Sequence, residues 1–247
     1  MVYVRKSGIR HVTIVITILF HYSLYECLYG REAMAVQKVF WADPYQTEII
    51  AQVTSVSDNV VTLDKTIFYA FAGGQESDKG TIHGFKVIKA EKDNNEIFYT
   101  LESGHDLKSG DEVIVEIDWN RRYRLMRLHF AAEIILELIY QRFNKPEKVG
   151  AHIAEDKARL DFIWDGSISR TFPFLEQKAQ ELINADLPIN SEFSDEENGQ
   201  RYWEIRDFAR VSCGGTHLRT TGEIGPIKLK RNNIGKGKER IEILLEQ

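Results

Sequence analysis

Cys213-Gly214-Gly215-Thr216-His217 places a thiol and an imidazole four residues apart, with two glycines between them. Thiolate and imidazole are donors a zinc-type ion takes, and Gly-Gly lets the backbone fold tightly enough to aim both at one point. Two donors leave a four-ligand site half built, so the rest must come from elsewhere. His129 and Glu133 can supply it: at i and i+4 of a helix both side chains leave one face and can chelate one ion. The same spacing describes an ordinary His–Glu pair on a solvated face, and for the pair alone that is the commoner case. A third feature is the Gly-rich stretch Gly73-Gly74-Gln75, followed by Gly80. Its glycines permit close backbone approach, and Gln75 offers both a donor and an acceptor, although most such loops are only turns.

The elements that must position these residues read as follows. Residues 47–56 and 60–64 alternate around the turn cluster Ser57-Asp58-Asn59 and predict a hairpin, and residues 97–101 and 112–117 predict further strands. Short strands with turns between them predict a small antiparallel β-barrel over residues 34–118, with the Gly-rich loop inside it. Past Asp118 the texture changes: Arg121, Arg122, Arg124 and Arg127 lead into a helix over residues 128–140, ended near Asn144-Lys145-Pro146. A hairpin (151–154 with 159–164), a second helix (174–183), an acidic turn (194–200) and closing strands at 227–230 and 240–245 follow. Residues 202–205 suit a strand or a short helix. Helices and strands mixed without regular alternation predict an α+β fold, with a two-layer domain over residues 119–247 whose sheet carries helices on one face.

Composition bounds the function. The 247 residues carry a net charge of −5, which argues against indiscriminate nucleic-acid binding but leaves room for a local basic face. Cys27 and Cys213 are the only cysteines, so there is no disulfide framework, and a reducing, cytoplasmic setting is expected. Residues 1–33 differ from the rest: Arg5, Lys6 and Arg10 precede an apolar run from Val12 to Phe20. That is the outline of a signal peptide, yet bulky residues replace the small-x-small cleavage site, and the run is too short to span a membrane. The segment is read as an extension upstream of a true start at Met34.

Cys213-Gly214-Gly215-Thr216-His217, extended by Thr221-Gly222-Glu223-Ile224-Gly225, resembles the zinc-binding end of the editing domain shared by alanyl- and threonyl-tRNA synthetases and the free-standing AlaX-type alanyl-tRNA editing proteins. Phe68-Tyr69, Gly73-Gly74-Gln75, Ser77-Asp78 and Gly80 resemble that family's Gly-rich barrel loop, and residues 121–133 resemble its Arg-rich lead-in and His-x-x-x-His motif. Three positions depart: Glu133 replaces the second histidine, Phe130 a residue commonly threonine, and Ala72 a third glycine.

The resemblance implies a Zn2+-dependent hydrolase acting in trans on mischarged tRNA(Ala). Seryl-tRNA(Ala) is the expected substrate and glycyl-tRNA(Ala) a further candidate, because pockets discriminate such small side chains only modestly. It implies His129, Glu133, Cys213 and His217 as metal ligands, with Glu133 alternatively acting on a metal-bound water. Gln75, with Gly73 and Gly74, would hold the terminal ester, and Phe130 would bear on serine selection. No segment reads as a synthetase activation core. The basic clusters 121–127, 228–231 and 236–240 are candidate tRNA acceptor-end contacts, chiefly Lys228, Lys230, Arg231, Lys236 and Lys238. His83, His105 and His152 stand alone and read as packed or surface residues. Two alternatives remain: a non-catalytic tRNA- or partner-binding module with a structural zinc, and a zinc hydrolase of another small ester. No membrane association is expected, and the oligomeric state is open.

Overall fold

The computed structural model describes residues 35–246, and the expected extension over residues 1–33 lies outside the described residues. Strand β1 (Gln37–Lys38) runs into a 3-10 turn, Val39–Trp41. There follow β2 (Glu48–Ser57), β3 (Val60–Leu63), β4 (Lys65–Thr66), β5 (Gly80–Ile82), β6 (Phe85–Asp93), β7 (Glu96–Leu101) and β8 (Glu112–Ile117). Six of them hydrogen-bond in the circuit β2-β3-β7-β6-β5-β8, which returns to β2 through an antiparallel β2–β8 pair. Period-two patterning drives this: Val113, Val115 and Ile117 of β8 are buried, while Glu112, Ile114 and Glu116 face out. Strand β6 is not evident from sequence because a register shift between Val87 and Lys89 interrupts the alternation.

Helix α1 (Trp119–Arg142) takes in the whole Arg-rich lead-in and so begins well before residue 128. Asp118 caps it by accepting from the Arg121 backbone N–H at 3.1 Å. It stops where Asn144 and Lys145 adopt positive φ (55° and 48°), just before Pro146. Leu125, Leu128, Phe130, Ile134, Ile135 and Ile139 are all buried, so α1 is covered on most sides and anchors the second core.

Around α1 lie β9 (Lys148–Ile153), β10 (Ala158–Ile163), α2 (Phe172–Asn184), β11 (Asn190–Asp195), β12 (Gln200–Ile205), β13 (Ala209–Ser212), β14 (Ile227–Gly235) and β15 (Lys238–Leu245). An antiparallel sheet β14-β15-β10-β9 and a three-stranded sheet β11-β12-β13 make the architecture mixed α+β. Residues 202–205 settle as strand, and the expected acidic turn shrinks because β11 runs on through Asp195. Helix α2 buries Leu175, Ala179 and Ile183, the i, i+4, i+8 stripe that sets its orientation. Among the described residues no helix is long and apolar enough to cross a membrane.

Two cores result, one inside the strand circuit and one around α1. The Gly-rich loop and the start of α1 tie them together. Arg122, fully buried, pairs with Asp78 and donates to the carbonyls of Pro44 (2.8 Å) and Ile67 (2.6 Å). Arg121 bridges Glu76 and Glu155, each at 2.7 Å. These two arginines are therefore internal joints, which corrects their reading as phosphate contacts. Gly74 supplies a second joint: its carbonyl accepts from the Ile153 N–H of β9 at 2.8 Å. With φ at 87° and an added Cβ only 2.9 Å from the Ala151 carbonyl oxygen, only glycine fits there without strain.

Candidate metal centre

His129 and Glu133 project from α1 one turn apart, and Cys213 and His217 come from the loop after β13. The ligand atoms of His129, Cys213 and His217 all lie within 4.8 Å of one another. Among the described residues no other group of three or more metal-ligating side chains converges in this way. Sγ of Cys213 is 3.4 Å from His129 Nε2 and 3.7 Å from Glu133 Oε1. The His129–Glu133 separation is 3.4 Å. Tetrahedral zinc with Zn–N and Zn–S bonds of ~2.0–2.3 Å needs ligand separations of roughly 3.3–3.8 Å, which the spacings among His129, Cys213 and Glu133 match, while His217 lies within 4.8 Å of His129 and Cys213. Glu133 stands beside two of the three donors but outside the mutually close group.

The loop reaches His129 because Gly215 has no side chain: a Cβ there would lie 2.0 Å from His129 Cε1. The backbone N–H of Cys213 donates to the Arg201 carbonyl at 2.9 Å, which fixes the loop to β12. Behind the donors is a ring of orienting contacts. Oε1 of Gln75 lies 2.6 Å from His129 Nδ1, and its Nε2 donates to Thr216 Oγ1 at 3.0 Å. With Nδ1–H donating to Gln75, Nε2 is the His129 nitrogen that can offer a lone pair to an ion once its proton is displaced. Ser191 Oγ sits 2.8 Å from His217 Nδ1. His217 Nε2, buried, has no hydrogen-bond partner, and a cation would satisfy that lone pair. Trp203 Nε1 donates to Glu133 Oε2 at 3.2 Å.

Electrostatics separates the two imidazoles. Burial opposes charge on His129, but its contacts with the Cys213 sulfur and the Glu133 carboxylate outweigh it and raise its pKa to about 10. His217 is held well below the usual 6.5 by burial, with His129 and Arg201 adding like charge nearby. Burial works against ionised Glu133 too, yet the contacts from His129 and Trp203 leave its pKa lowered. Metal ligands bind deprotonated, so a divalent cation entering this cluster would displace the proton that His129 holds.

Several expected roles change. Gln75 is buried, and both ends of its amide are engaged, by His129 and by Thr216. Gly74 approaches β9, and Gly73 faces open space with φ at 59°. The Phe130 ring is wholly buried against Trp203 and His217, with centroids at 5.2 and 5.8 Å. Lys228, Lys230 and Lys236 are exposed on the β14–β15 hairpin and Lys238 is half-buried. Arg231 is tied to Glu239, with one contact at 2.6 Å, and is not a free cation. Sequence reading misses Ser191, Trp203 and Arg201. Only pairing in the β11-β12-β13 sheet brings them to the centre, and period-two alternation of Arg201 and Trp203 on β12 is the one local trace of it.

The sequence family described as threonyl and alanyl tRNA synthetase second additional domain matches residues 204–242. Alanyl-tRNA editing protein AlaX-M of Pyrococcus horikoshii is 34% identical over 215 residues, covering 85% of this chain and 98% of that protein. The chain belongs to the AlaX-M family of alanyl-tRNA editing proteins. AlaX-M of Methanosarcina barkeri is 32% identical over 240 residues, again covering 98% of that protein. An alanine–tRNA ligase of Methanococcus maripaludis is 33% identical over 232 residues, but the match covers only 26% of the ligase. The match therefore takes in nearly all of the AlaX-M protein but only about a quarter of the ligase. The family described as tRNA synthetases class II (A) matches residues 15–121, a stretch that contains the Gly-rich loop.

Proposed function

We propose that this chain is a trans-acting, zinc-dependent aminoacyl-tRNA deacylase. It removes serine, and secondarily glycine, from the acceptor end of mischarged tRNA(Ala). The convergence of His129, Cys213 and His217 within 4.8 Å, in a chain of the AlaX-M family, is the observation that supports this reading. The closed strand circuit is read as the small barrel of that family, with residues 34–118 and 119–247 as its two domains.

His129 Nε2, Cys213 Sγ and His217 Nε2 would hold the ion. One thiolate with two imidazoles is the combination zinc favours over harder or redox-active metals. When bound, zinc supplies a Lewis acid that polarises an ester carbonyl or lowers the pKa of a coordinated water. Gln75 and Ser191 keep the two imidazoles in the ligating tautomers. Glu133, ionised and beside two of the three donors, would take the proton from the attacking water. Lys228, Lys230, Lys236 and Lys238 contribute a salt-sensitive contact to the acceptor stem.

The proximity of Glu133 Oε1 to His129 and Cys213 also supports a second reading, in which four protein ligands close a structural site on a non-catalytic module. Glu133→Gln separates the two. Metal content near wild type with deacylation of seryl-tRNA(Ala) down about 100-fold or more supports the proton acceptor, since general-base catalysis is worth about 10²–10⁴. Loss of metal from this variant supports the closed site. Full activity in metal-free Cys213→Ala protein rules out zinc dependence.

A further inference from the structure

Beside the metal centre lies a cavity of about 460 Å³, lined by Trp41, Ser191, Arg201, His217 and Arg219 among others. That volume suits a nucleotide-sized ligand. Arg201 is the unusual wall. It is 6% exposed, yet among the described residues it forms no ion pair, whereas buried Arg121 and Arg122 both pair with carboxylates. Its guanidinium donates to the carbonyls of Trp41 at 2.9 Å and Gly215 at 3.4 Å. Nε is buried without any partner. Five N–H donors with two engaged leave a fork able to take an anion. The partly exposed rings of Trp41 and Phe193 lie 5.7 and 5.3 Å from its central carbon and hold its plane. A guanidinium removed from water without a counter-charge is costly, and an anionic ligand entering the cavity offsets that cost.

We propose that Arg201 is the phosphate-recognising group of this cavity. It holds the 5′-phosphate of the terminal nucleotide at an RNA 3′ end while the ester of that nucleotide faces the metal centre. The assignment rests on the deacylase reading for the identity of the nucleotide, but its test does not depend on turnover. AMP carries the phosphate and adenosine lacks it. Calorimetric titration of the metal-loaded full chain is expected to give AMP about tenfold or more tighter binding than adenosine, the scale of a charge-assisted hydrogen bond. Arg201→Gln abolishes the preference. Arg201→Lys, which keeps the charge without the planar fork, reduces it severalfold. Equal binding of AMP and adenosine by wild type overturns the assignment and leaves Arg201 a clamp between Trp41 and Gly215. So does an unchanged preference in either variant. Failure of the deacylase reading is seen separately, as metal-loaded wild type that hydrolyses no mischarged tRNA while still preferring AMP.

Discussion

Gly215 sets how closely the Cys213–His217 loop can approach α1, because the space for its Cβ is filled by the His129 ring. Gly215→Ala must therefore turn His129 away from Cys213 or lift the loop. Metal affinity is expected to fall at least as much as for loss of an orienting contact, about 10–100-fold, while the fold persists. Competition with a chromophoric chelator measures the affinity and circular dichroism the fold. Gly214→Ala is the control, because a Cβ there meets nothing within 4 Å. The two adjacent glycines look equivalent in sequence. Only the tertiary position of His129 distinguishes them.

The β14–β15 hairpin shows what an element adds to its residues. Glu239 is buried on β15 and held by Arg231 and Asn233 of β14, the latter at 2.9 Å. Its carboxyl sits below the usual 4.5, first because of the Arg231 hydrogen bonds, with burial opposing. The folded state thus binds this proton less readily than the unfolded chain. The stabilisation is fully present above the unfolded pKa and is lost as pH falls through the lower folded value. Glu239→Gln is expected to lower Tm at pH 7 and to flatten the further decline below about pH 4, seen as a Tm-versus-pH curve. At the start of α1, Arg122→Met leaves Asp78 buried with its ion partner removed and should cost about 3–5 kcal/mol in urea unfolding. Arg122→Met/Asp78→Leu should recover only part of that. The carbonyls of Pro44 and Ile67 lose a donor, and the Tyr69 N–H loses the Asp78 oxygen it reaches at 2.7 Å.

At the scale of the whole molecule the candidate metal centre would cross-link α1 to a loop more than eighty residues later. On the proposed reading, an ion bound only by the folded chain stabilises it by mass action. A chelator should then lower the Tm of wild type and leave Cys213→Ala unmoved in a calorimetric scan. Sequence alone made the candidate donors and most elements legible. Cys-Gly-Gly-Thr-His and His-x-x-x-Glu are local patterns, and period-two or helical spacing is written in consecutive residues. Tertiary structure decided the rest, since no short-range pattern records which distant groups become neighbours. It brought Ser191 to His217, turned Gln75 inward, buried Phe130 beneath the site, spent Arg121 and Arg122 on joining two cores, and left Arg201 without a counter-charge. Each outcome depends on hydrogen-bond and charge satisfaction between segments far apart in the chain, which is settled only when the chain packs.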